Sequence, residues 1–162
     1  MRMDSTENRF VAEVNSSCLE RLVGYNSKRV SFVVMNAVTS KIQKFGLQNP
    51  VDYSVLALIS QNPGITSRQL CHVLAIYPAN MVSVVKGFEE KGLLERRVLP
   101  SDGRAYGLYL TMKGFDLYSN AEACVTEVDV EVTSALSEIE RMHLNVLLRK
   151  IYYSETPPSS LN

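Results

Sequence analysis

Tryptophan is absent from this 162-residue chain, histidine occurs twice and cysteine three times. Those scarcities exclude much chemistry. His72 and His143 fall in different predicted helices, with no carboxylate at a useful spacing. Cys71 and His72 are adjacent, so on a helix they point to different faces and cannot share one metal ion well. No Gly-rich phosphate loop and no metal-ligand spacing occurs. The expectation is therefore no catalytic residue, no metal and no cofactor. Cys18, Cys71 and Cys124 are far apart, odd in number and without a CxxC pair, which fits free thiols in a reducing cytoplasm. Long apolar runs are missing too: none approaches the roughly 18 residues of a membrane span. The polar stretch Met1 to Asn8 has no apolar signal core. Excess charge of either sign is also lacking, since Lys+Arg and Asp+Glu both number 17. Any case for nucleic acid must rest on where the charges sit.

What is present is a run of helical patterns interrupted once by a strand pattern. Residues 1–11 and 154–162 are polar or Pro/Ser-rich and predict loose ends. Ser17 to Phe45 predicts one long helix that closes at Gly46. Pro50 can open a second, with Val51, Val55 and Ile59 at helical spacing before the stop at Asn62-Pro63-Gly64. Thr66 and Gln69 form a T-x-x-Q capping box, with Ile65 and Leu70 at the staple positions. Leu70, Val73 and Leu74 predict the apolar edge of this short helix. Pro78 starts the next, in which Met81, Val84, Val85 and Phe88 make one buried stripe.

The period then changes. Leu93 to Leu99 and the alternating Tyr106, Leu108 and Leu110 predict a β-hairpin around Pro100-Ser101-Asp102-Gly103, with Arg96, Arg97 and Arg104 as a basic flank. Thr111 is a candidate N-cap for a long helix with a seam at Tyr118, Ala121, Val125, Val128, Val132 and Ala135. Residues 137–153 predict a last helix, apolar over so much of its girth that a second copy of the chain would suit it.

Helix, helix, short helix, helix, hairpin, helix, helix is the order of a winged helix-turn-helix, a mainly α fold with a small β-hairpin wing. The second helix of such a motif enters the major groove of DNA, which is about 12 Å wide. Here its outward residues are Pro78, Ala79, Asn80, Ser83 and Lys86. Asn80 suits adenine, Ser83 is adaptable, and Lys86 suits guanine or phosphate. The same residues equally suit a solvated face. Thr66 and Arg68, at the start of the preceding helix, belong to the same surface. Arg104 can lie in a minor groove with Asp102 aiming it, or the two can form a weak surface pair.

The stretches Lys91-Gly-Leu-Leu-Glu-Arg-Arg, Ser101-Asp-Gly-Arg and Leu108-Tyr-Leu-Thr-Met-Lys-Gly resemble the wing pattern of the MarR (multiple antibiotic resistance regulator) family. The resemblance spans about residues 15–153. It implies a homodimer on a pseudo-palindromic operator, acting as a repressor and released by a small aromatic or phenolic acid. It divides the chain into a first dimerisation helix (12–49), a DNA-binding domain (50–111) and C-terminal dimerisation helices (112–153). It also places an effector pocket between the dimerisation helices and the winged motif. There Asn36 and Tyr53 are candidate lining residues and Arg29 a candidate partner for a carboxylate, although a packed Tyr, a satisfied core Asn and a surface Arg are the plainer alternatives. The wing reads Asp-Gly-Arg-Ala, without the second basic residue many members carry, which implies a weaker hold on DNA. Two other readings stay open: a peroxide sensor using Cys18, and a winged helix that binds protein.

Overall fold

The structure, a computed structural model, describes residues 15–99 and 102–154, without the side chains of 102–104 and 154. The loose ends predicted for residues 1–11 and 155–162, and the turn at Pro100-Ser101, lie outside the described residues.

The first predicted helix is three pieces: α1 (Ser17–Glu20), α2 (Val23–Ile42) and a 3-10 turn (Gln43–Phe45). The break is local. Leu22 is extended (φ −94°, ψ 123°), and the Asn26 side-chain amide donates to the Glu20 carbonyl at 2.7 Å. A side chain thereby satisfies a carbonyl at the end of α1. Only Val38 and Ile42 of α2 are buried; Val23, Val30, Phe32 and Val33 stand exposed.

Asn49 caps α3 (Pro50–Gln61), accepting from the Val51 and Asp52 amides. Asp52 is buried yet satisfied, because the Gln48 amide donates to its carboxylate at 2.7 Å. The predicted capping box opens α4 (Ser67–Leu74): the Gln69 amide donates to Thr66 Oγ1 at 3.3 Å, and the Thr66 amide donates to Gln69 Oε1 at 2.9 Å. Val73 is not on the apolar edge. It is 59% exposed, while Cys71 packs against the core beside Leu70 and Leu74. At about 100° per residue, positions 70, 71 and 74 share a face and 73 leaves it.

Helix α5 (Pro78–Glu90) buries Met81, Val85 and Phe88 as its spacing predicts. The hairpin pairs β1 (Leu94–Leu99) with β2 (Asp102–Leu110) in the register Leu94↔Leu110 through Val98↔Tyr106. Leu108 is buried, but Tyr106 faces solvent. The wing is not free-standing. Ile65 bridges Leu108, with Gly64 N–H donating to the Leu108 carbonyl and Leu108 N–H to the Ile65 carbonyl, each at 2.9 Å. This approach is close enough that a Cβ on Gly107 would meet the Gly64 carbonyl oxygen at 2.7 Å.

Thr111 caps α6 (Met112–Val132), its hydroxyl accepting from the Gly114 amide at 3.1 Å. Helix α6 packs on α2 and α3 through Tyr118, Ala121, Cys124 and Val128. The seam stops short of Ala135, which is exposed in the connection to α7 (Glu138–Ser154). Ser137 and Glu140 form a second capping box there, and the two Ser137 donors hold the Glu140 carboxyl below the usual carboxylate range. Nearly every apolar side chain of α7 is exposed, including Ile139, Met142, Leu147 and Ile151. Among the described residues no helix is long and apolar enough to cross a membrane.

Candidate nucleic-acid interface and effector junction

Burial of Met81, Val85 and Phe88 fixes the roll of α5 and so presents its other face. Pro78, Ala79, Asn80, Ser83 and Lys86 are all exposed on that face. The Ser83 hydroxyl donates to the Ala79 carbonyl at 3.3 Å, which leaves its lone pairs for an incoming donor. Lys86 pairs with Glu90 at 3.8 Å, an exposed i,i+4 contact that a phosphate can displace. Thr66 is half-buried and its hydroxyl is committed to the cap, whereas Arg68 is exposed. Two residues not anticipated from the sequence join this surface: Tyr77, 68% exposed at the N-cap of α5, and Val82. The Tyr-Pro pair at a helix start was the available signal.

The basic flank of the hairpin is not a row of free cations. Arg96 Nε donates to Glu89 at 2.9 Å, tying β1 to α5. Arg97 pairs with Glu95 and lies over the Tyr109 ring, 4.6 Å from its centroid. Both guanidiniums remain partly exposed, so water weakens the pairs. Asp102 and Arg104 belong to β2 at its turn end, and their side chains lie outside the described residues. Lys113 and Lys91 fasten the base of the wing, donating to the Lys91 and Gly46 carbonyls at 2.8 and 3.3 Å.

Between α3 and α6 lies an aromatic cluster. Tyr53 is half-buried and stacks on Tyr118, with ring centroids 6.2 Å apart. Phe115 meets Tyr118 edge-on at 6.4 Å. The Tyr118 hydroxyl donates to Glu122. Burial raises the phenol pKa of both tyrosines, and the Glu122 carboxylate pushes in the same direction. Arg29 and Asn36 are seven residues apart on one side of α2, and both are exposed in the protomer. Asn36 therefore carries no demand for a buried partner within one chain. Tyr118, Phe115 and Glu122 were missed as junction residues, because Tyr118 reads in the sequence as a seam position and its neighbours at i−3 and i+4 follow from it.

Peroxide sensing at Cys18 finds no support. The thiol is exposed on α1, a helix of four residues with Glu20 at its end and Arg21 as its C-cap. Among the described residues no group of three or more His, Cys, Asp or Glu could hold a metal ion.

A family model described as the MarR family matches residues 45–105. A Thauera aromatica protein assigned to regulation of the hcr operon is 30% identical over 152 residues, covering 93% of this chain and 92% of its own. The repressor CouR, solved on a 23-mer DNA duplex, is 30% identical with a TM-score of 0.79, covering 86% of this chain and 99% of its own. CouR from Rhodococcus jostii has also been solved with p-coumaroyl-CoA. A MarR family protein of Mycobacterium tuberculosis, solved with salicylic acid, is 29% identical with a TM-score of 0.67, covering 80% of this chain and 95% of its own.

Proposed function

The chain belongs to the MarR family of DNA-binding transcriptional regulators, and on that premise we propose that it is a homodimeric repressor released from its operator by a small aromatic acid or its thioester. The observation that carries this reading is the exposed face of α5 on a locked winged motif, in a fold that carries a DNA duplex in CouR. Asn80, Ser83 and Lys86 read base edges in the major groove. Pro78, Ala79, Thr66 and Arg68 approach the backbone. The wing, with Asp102 and Arg104 at its turn end, takes the adjacent minor groove, and Arg96 and Arg97 exchange their carboxylates for phosphates. Residues 50–111 form the DNA-binding domain. The uncovered apolar faces of α2 and α7 support dimerisation through residues 12–49 and 112–153. Operator binding of this kind implies a cytoplasmic location.

The effector seats at the junction, its ring against the Tyr53–Tyr118 pair and its acid end toward Arg29 and Asn36. Dimerisation sets the distance between the two reading helices, which DNA requires to be about 34 Å. A ligand moves that distance only by binding the two arrangements with different affinity. Reversing the population from 1:99 to 99:1 takes about 5.5 kcal/mol of difference.

Fluorescence anisotropy with the DNA flanking its own coding region, at two salt concentrations, tests this. Specific binding that falls with salt and is weakened in Asn80→Ala and Arg104→Ala is the expected result. Binding no tighter than to random DNA, unchanged by either substitution, would mean that the winged face serves a protein partner.

A further inference from the structure

A hollow of about 800 Å³ opens on the outer side of the helix-turn-helix, between the end of α3, the turn Asn62–Gly64 and the outward face of α4. Leu58, Ile65 and Val73 give it an apolar floor, and Arg68 and His72 stand at its wall. The two basic residues are one turn apart on α4, so their side chains rise from neighbouring points of one face. Lys86, Arg96 and Arg97 each have a carboxylate partner, whereas among the described residues neither Arg68 nor His72 has one. Among the described residues no acidic side chain lines the hollow. Gln69 Oε1 is held by the Thr66 cap, which leaves the amide nitrogen as a third donor.

We propose that this hollow binds a small organic acid, its apolar body on Leu58, Ile65 and Val73 and its carboxylate on Arg68 and His72. An arginine fork suits a planar carboxylate, and an apolar floor contributes affinity that a bare anion cannot use. The backbone of a duplex fits less well, because its phosphates ride on protruding cations and have no use for a recessed apolar floor. The site is distinct from the Tyr53 junction. Five residues separate Tyr53 from Leu58, so they face about 140° apart on α3. One consequence rests on the operator reading above: an acid that occupies Arg68 competes directly with the DNA backbone.

The test uses the full chain without DNA, so it stands whether or not an operator is found. 2-Naphthoate is titrated into protein labelled at Ile, Leu and Val methyls, with neutral 2-naphthalenemethanol as control. The expected result is chemical-shift change at Leu58, Ile65 and Val73 and, read at those three methyl-bearing residues, about tenfold weaker binding in Arg68→Gln. The alcohol binds the wild type about tenfold more weakly than the acid and does not distinguish it from Arg68→Gln. Shifts confined to the α3–α6 junction, or equal affinity for acid and alcohol at Leu58, Ile65 and Val73, overturn the proposal. Should Arg68→Gln fail to fold, the comparison of acid with alcohol on the wild type still decides it.

Discussion

Substituting Gly114 by alanine tests how tightly the winged motif is joined to α6. An added Cβ would lie 1.9 Å from the Leu93 carbonyl oxygen, and contact becomes ordinary only near 3.4 Å. The joint must therefore open by about 1.5 Å. The same oxygen accepts from the Thr111 amide at 3.0 Å, so opening also breaks the bond that seats the cap residue of α6. Overpacking of this kind costs about 1–3 kcal/mol. The lost hydrogen bond adds about 1 kcal/mol, and the better helix propensity of alanine offsets up to about 1 kcal/mol. The net destabilisation is about 2 kcal/mol, which in a chain of this length lowers Tm by roughly 4–8 °C. Thermal unfolding followed by circular dichroism, at one fixed protein concentration because a dimer's Tm depends on it, reads the effect. Gly24→Ala is the internal control, since a Cβ there meets nothing within 4 Å and the residue lies inside α2. Its Tm should hold or rise. A Gly114→Ala protein as stable as Gly24→Ala would refute the reasoning.

Thr66→Ala removes the hydroxyl half of the capping box and should cost about 1 kcal/mol in a denaturant titration, with an unchanged m-value. Leu147→Glu places a charge on the uncovered face of α7; light scattering should then report half the wild-type mass, whereas an unchanged mass would remove α7 from the dimer contact. Tyr53 and Tyr118 should ionise above the ordinary phenol value when absorbance is followed through alkaline pH. Their raised values favour the protonated phenols of the folded state. That stabilisation is in full force below about pH 10 and is lost as the pH rises through the folded values. A single tyrosine transition near the ordinary value would contradict the burial described.

Local signals carried much of the fold. The Thr66–Gln69 box, Pro78 before a Met81–Val85–Phe88 stripe and Thr111 before a long apolar seam each act within a few residues, and each element stands where its signal put it. Failures came where the deciding contact was distant or turned on one residue of phase. The break at Leu22 depends on a side-chain amide reaching back six residues. The exchange of Val73 for Cys71 is a difference of 200° around α4, which a short helix does not advertise. Neither the Ile65–Leu108 bridge nor the Arg96–Glu89 pair has a sequence signature, because each joins segments brought together only by folding. The exposed residues of α5 were legible by subtraction, as the positions its buried stripe leaves over. The junction was half legible: Tyr53 could be named from the resemblance, while its stacking partner Tyr118 emerged only when α3 met α6.

The bridge from Gly64 and Ile65 to Leu108 has a genetic consequence. With the start of α4, α5 and the wing fastened together, one protomer of the proposed repressor would offer DNA a grip of fixed shape. Variants selected for a lost or permanent response should then fall into two spatial classes. Changes at the exposed α5 face and the wing would alter which promoters are silenced. Changes at the α2, α6 and α7 supports would alter when they are silenced. Few substitutions would do both, and those few should crowd around Leu93, Thr111 and Gly114, where the grip meets its handle.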